Sequence, residues 1–121
     1  MSLTNQDLKQ VFELALNHHK KCNFKKAEKL YNEILKSIPN HFQSIFLLGT
    51  LFGQVKKYKE AITLLKKAIQ INPAYLNAYN NLGNVYQETG LNQKAISYYK
   101  KAININPNYL EAHNNLGNIF Y

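Results

Sequence analysis

The sequence predicts an all-α protein, a solenoid of stacked helix-turn-helix units. Gly49, Gly83 and Gly117 stand 34 residues apart, and Pro39, Pro73 and Pro107 keep the same interval. Aligning 61–83 with 95–117 gives 16 identities in 23 positions. A fixed period of this length marks units that bury their apolar faces against neighbours rather than in one globular core. Within each unit the apolar residues recur at helical spacing, as in Ile45, Leu48, Phe52 and Tyr79, Leu82, Tyr86.

Taken in order, the elements follow from local chemistry. Thr4 with Asp7 fits a capping box and Leu3 with Leu8 a hydrophobic staple, so a first helix is expected to begin near Thr4. Each unit opens with such a helix, here called A. A turn follows at Cys22-Asn23, Lys56-Lys57 and Gly90. A second stripe, Ala61, Ile62, Leu65, Ala68, Ile69 and its counterpart Ala95, Ile96, Tyr99, Ala102, Ile103, then marks helix B. Asn72-Pro73 and Asn106-Pro107 end helix B, because a residue before proline is pushed out of the helical region. A glycine inside a helix costs about 1 kcal/mol relative to alanine, so Gly49 and Gly83 call for close packing, expected against Ala61 and Ala95. The units run over 8–41, 42–75 and 76–109, with a half unit at 110–121, all within one domain, 1–121. The last A helix carries Leu116, Ile119, Phe120 and Tyr121, a face that a further helix B would normally cover. The expectation is a fragment of a longer array, or a chain that self-associates through this end.

Composition narrows the function classes. The net charge is +8, and all 15 basic residues are lysine. Arginine, which reads guanine edges bidentately, is absent, so nucleic acid is not the expected partner. The lysines fall mainly in the B helices and coat one side as a solvated face; phosphate binding there is the alternative. Tyr79, Tyr86 and Tyr99 occupy core positions and are not available to stack on single strands. No apolar run is long enough to span a membrane and the start carries no signal-peptide pattern, so a cytoplasmic location is expected. The single cysteine, Cys22, cannot form an internal disulfide and is expected to be a partly exposed thiol.

The units resemble the tetratricopeptide repeat. The third supplies Tyr79, Leu82, Gly83, Tyr86, Ala95, Tyr99, Ala102 and Pro107, and the second Ile45, Leu48, Gly49, Phe52, Ala61, Leu65, Ala68 and Pro73. The first departs more, with Val11, Leu14, Ala15, His18, Ala27, Tyr31, Ile34 and Pro39. The resemblance implies a right-handed superhelix whose A helices line a concave groove, and a protein-binding scaffold. A looser similarity, through the stretches 27–31, 47–49 and 80–83, is to repeats that precede glycosyltransferase or other transferase domains in bacteria. It implies a substrate-recruiting arm.

On that fold the inward positions differ along the array. Units one and two present Lys9, Phe12, Glu13, Leu16 and Gln43, Phe46, Leu47, Thr50, a largely apolar stretch. The next present Asn77, Asn80, Asn81 and Asn84, then Glu111, Asn114, Asn115 and Asn118. Asparagine is a poor helix former, yet its amide carries both a donor and an acceptor, the complement of a peptide group. Asn81 and Asn115 occupy a helix A position that resembles the asparagine ladder of the O-GlcNAc transferase superhelix, which in that family grips peptide backbone. The expected ligand is therefore an extended peptide, its backbone held by these amides and a bulky side chain selected near Phe12, Leu16, Phe46 and Thr50. Bonding between neighbouring helices is the alternative role of the amides. The family's carboxylate clamp is not matched, because Phe12, Leu16, Phe46, Thr50, Glu111 and Asn115 stand where it has Lys, Asn and Arg.

Catalysis finds no support in the sequence. His18 and His19 point about 100° apart on a helix and no third ligand joins them, so no metal is expected. The glycines recur inside helices rather than in a phosphate-binding loop, and no cofactor is implied.

Overall fold

The computed structural model describes residues 3–120. Its helices are α1 (Asn5–Lys20), α2 (Phe24–Ser37), α3 (Phe42–Gln54), α4 (Tyr58–Ile71), α5 (Leu76–Glu88), α6 (Asn92–Ile105) and α7 (Leu110–Phe120), with no strand among the described residues. Thr4 caps α1, accepting the Asp7 N–H at 3.0 Å. Tyr121, part of the expected self-association face, lies outside the described residues.

The turn from A to B is the same in all three pairs. Cys22, Lys56 and Gly90 have φ of 61°, 66° and 79°. The N–H after each reaches back to close the helix, Asn23 to His18 at 2.8 Å, Lys57 to Phe52 at 2.8 Å and Leu91 to Tyr86 at 2.9 Å. This is the Schellman motif, which needs one left-handed residue. Only the third unit supplies a glycine for it. The B helices stop at Ile38, Asn72 and Asn106, whose φ of −132°, −134° and −137° are the extended values that the following prolines impose.

Each A helix packs on the B helix that follows it, and each B helix on the next A helix. In addition α3 meets α5 and α5 meets α7, while no comparable contact joins one B helix to another. The A helices therefore form the inner side of the stack. A continuous core runs through it, including Ala15, Tyr31, Ile45, Leu48, Leu65, Leu82, Tyr86 and Tyr99. Leu14, which matches the buried Leu48 and Leu82 in register, is 47% exposed because no described helix packs before it.

The glycines correct one expectation. Ala61 and Ala95 are buried, but they are not what Gly49 and Gly83 accommodate. A Cβ on Gly49 would lie 3.1 Å from Leu64 Cβ and Leu65 Cγ, and one on Gly83 would lie 2.5 Å from the Tyr99 ring. The Tyr99 ring makes a glycine necessary at Gly83, whereas the leucines facing Gly49 leave a tight contact that a small shift relieves.

Candidate functional site

The inner face is crossed by side-chain hydrogen bonds from one unit to the next. Asn81 Nδ2 donates to Thr50 Oγ1 at 3.0 Å, and the Thr50 hydroxyl donates to the Phe46 carbonyl at 2.9 Å. One unit on, Asn115 Nδ2 donates to Asn80 Oδ1 at 2.9 Å. His19 Nε2 of the first unit pairs with Gln54 Oε1 of the second at 2.7 Å, and within the third unit the Tyr109 hydroxyl donates to Asn77 Oδ1 at 2.6 Å. Burial, followed by the charge of Glu111, pushes the Tyr109 phenol up to about 12, so it stays a donor at neutral pH.

The residues singled out from the sequence fall into two levels. Phe12, Leu16, Thr50, Asn81, Asn84 and Asn115 are half-buried and Asn77, Asn114 and Asn118 exposed. Asn80 and Phe46 lie beneath that surface, 3% and 8% exposed. Phe46 packs between Phe42 and Tyr75, with ring centroids at 6.3 Å and 4.9 Å. Phe12 stays nearer the surface, edge-on to His41 at 5.5 Å. Asn77, Asn80, Asn81, Asn84 and Asn115 are thus tied into the array. Each bonded Asn81 or Asn115 nevertheless keeps its carbonyl oxygen and a second N–H, since a primary amide carries two donors and an acceptor.

A feature that sequence reasoning missed lies between α3 and α5. A cavity of about 440 Å³ opens there, lined by Thr50, Gly53, Leu65, Asn81, Asn84 and Val85 among others. Its signal was the repeat itself, because Gly53 and Leu65 depart from what stands one unit before and one unit after: His19 and Gln87, Tyr31 and Tyr99.

The outer side is basic. Lys94 sits 5.4 Å from the Tyr86 ring centroid and Lys101 4.6 Å from that of Tyr98. Cys22 is exposed. Among the described residues no three of His, Cys, Asp and Glu gather as a metal site would need, and no helix is long and apolar enough to cross a membrane.

Leu116 and Ile119 are half-buried at the last helix, and Phe120 is 62% exposed. A Cβ on Gly117 would meet nothing within 4 Å, unlike those on Gly49 and Gly83. The face of α7 that matches the B-covered face of α3 and α5 is open.

A helical solenoid with units of this register is a protein-interaction scaffold. The chain belongs to the tetratricopeptide-repeat family: a TPR repeat model matches residues 49–90 and a tetratricopeptide repeat model residues 76–109. Its architecture is an all-α solenoid of stacked helix pairs. Neither match reaches the first unit, where Ala15 and His18 replace the glycine and aromatic of the later ones. No curated protein matches the sequence.

Solved structures agree with the fold. A mutant of Thermobaculum terrenum O-GlcNAc transferase is similar at TM-score 0.86 and 26% identity, over 96% of this chain and 22% of that one. MamA from Desulfovibrio magneticus RS-1 is similar at 0.86 and 26%, over 93% of this chain and 64% of that one. The first TPR of Spaghetti (RPAP3), bound to the HSP90 peptide SRMEEVD, reaches 0.88 at 20% identity over 98% and 94%, a likeness of fold alone. The chain spans about a fifth of the transferase chain and under two thirds of MamA.

Proposed function

We propose that the inner face binds an extended segment of a protein partner, gripping its backbone through Asn81 and Asn115. The observation that supports this most is their shared tether. Each donates one amide hydrogen to the preceding A helix, to Thr50 or to Asn80, and retains a carbonyl oxygen and a second N–H. The tether fixes the amide before a ligand arrives, so less rotamer freedom is lost on binding. Asn77, Asn84, Asn114 and Asn118 extend the polar surface, and Phe12 and Leu16 offer apolar contact at its other end.

The test is affinity. Peptides selected on the wild-type chain by display are measured by fluorescence anisotropy against Asn81→Ala/Asn115→Ala. Two lost hydrogen bonds, each worth about 0.5–1.5 kcal/mol, correspond to a weakening of roughly 5- to 150-fold. Unchanged affinity would remove these amides from the site. Weakening that only tracks unfolding would leave them the purely structural role of joining units.

Two further readings rest on separate observations. The likeness to 22% of a transferase chain supports a role as a recruiting arm for a transferase domain. The open face at Gly117 and Phe120 supports self-association through Leu116, Ile119, Phe120 and Tyr121. Light scattering of the wild type and Phe120→Asp across concentration distinguishes a self-associating chain from a monomer.

A further inference from the structure

In the first and third units a phenol from helix B closes the space behind helix A. The Tyr31 hydroxyl pairs with His19 Nδ1 at 2.8 Å, and the Tyr99 hydroxyl, with one proton to give, lies 2.6 Å from Asn84 Oδ1 and 2.9 Å from the Gln87 side-chain amide. The second unit has Leu65 for the tyrosine and Gly53 for the polar partner, and the cavity of about 440 Å³ stands at those two residues. Both halves of the closing pair are missing at once.

Packing does not account for Gly53. A Cβ there would lie 3.3 Å from Val85 Cγ2, a contact that a shift of a few tenths of an ångström relieves, unlike the 2.5 Å overlap at Gly83. A helix-interior glycine still costs about 1 kcal/mol. What it leaves is room at the groove.

We propose that this cavity is a side-chain pocket for one aromatic residue of the partner peptide, a proposal that rests on the groove reading above. The space is occupied in the neighbouring units by the end of a tyrosine ring and its partner. Val85 backs it with apolar surface over the fully buried Leu65 and Gly53 contributes bare backbone, while Thr50, Asn81 and Asn84 supply neutral polar groups and Lys56 and Glu88 one charge of each sign to its lining. Size is sufficient, since an apolar cavity of roughly 150 Å³ already holds a benzene ring. A carboxylate side chain would be desolvated against Val85, and the opposite charges of Lys56 and Glu88 in the lining give it no net attraction to offset that cost. Asn81 belongs to both features, so a peptide residue bonded to its amide has its side chain within reach of the pocket.

The test uses the full chain, labelled for NMR, with N-acetyl-phenylalanine amide, N-acetyl-tyrosine amide and N-acetyl-alanine amide as probes. The aromatic amides should give saturable shifts at the Gly53 N–H and Val85 methyls and ring-to-methyl NOEs, with affinity at least about tenfold above the alanine amide. Gly53→Gln/Leu65→Tyr, which rebuilds the pair seen at Gln87 and Tyr99, should abolish those shifts without lowering the unfolding midpoint. Should that variant fail to fold, the NOEs in the unmodified chain decide the matter. Equal shifts from alanine and aromatic amides along Asn81 and Asn115 would overturn the pocket and leave backbone binding standing. Aromatic shifts elsewhere, or none, would also overturn it, while the display peptides test the groove independently.

Discussion

Replacing Gly49, Gly83 and Gly117 in turn by alanine should give three different results at one register position. Each substitution gains about 1 kcal/mol of helix propensity. At Gly83 the new methyl would sit 2.5, 2.8 and 2.9 Å from Tyr99 ring atoms. That ring is fully buried and its hydroxyl bonds to Asn84 and Gln87, so it cannot swing aside freely. Overpacking costs about 1–3 kcal/mol and a displaced hydroxyl bond about 1 kcal/mol more, leaving Gly83→Ala destabilised by about 1–3 kcal/mol. At Gly49 the nearest atoms, on Leu64 and Leu65, are at 3.1 Å and belong to aliphatic chains, so the terms nearly cancel. At Gly117 nothing opposes the gain, and Gly117→Ala stabilises by up to about 1 kcal/mol. Urea unfolding followed by circular dichroism reads the midpoints, with unchanged slopes showing that only stability moved. Three shifts of one sign and size would refute the reasoning, because they would mean that the residue facing each glycine does not matter.

Other outcomes follow from the turns, a cap and the amides. Cys22→Gly and Lys56→Gly should each raise stability by about 1 kcal/mol, since both residues hold a left-handed φ that Gly90 adopts freely; an unchanged unfolding midpoint would count against strain there. His41 accepts the Ser44 N–H at Nδ1, 3.3 Å away, and burial holds its pKa below the usual histidine value. The folded state therefore binds fewer protons than the unfolded one. Stability should be complete above about pH 6.5 and fall as pH drops through that value toward the lower folded pKa, a slope that His41→Asn flattens in a pH series of melting curves. Asn81→Ala and Asn115→Ala should each cost about 0.5–1.5 kcal/mol in urea unfolding, the worth of one bond between units.

Helix order and the turns were legible in the sequence because they depend on local chemistry repeated at one interval. The prolines and the left-handed positions at Cys22, Lys56 and Gly90 act within a few residues of themselves. What faces what was less legible. Asn80 and Asn81 are adjacent, yet one is buried under Asn115 and the other is half-exposed beside Thr50. That difference depends on which neighbour each one faces, α7 for Asn80 and α3 for Asn81, a property of the stack and not of α5 alone. The same cause hid Phe46, whose ring is enclosed by Phe42 and Tyr75. It also misassigned the partners of Gly49 and Gly83, because helical period fixes which face a residue occupies but not which turn of the opposite helix meets it. The cavity could have been found by comparing Gly53 with His19 and Gln87, and Leu65 with Tyr31 and Tyr99. A departure at two facing positions of one unit leaves a space that neither would leave alone.

The most direct measurement is a backbone N-methyl scan of a peptide selected on the wild-type chain, with affinities compared against an alanine scan of the same peptide. If Asn81 and Asn115 hold peptide groups, methylating two amides about one unit apart should weaken binding about tenfold each, with alanine at those positions nearly silent. Affinity that ignores N-methylation and follows side-chain identity alone would contradict backbone recognition by this face.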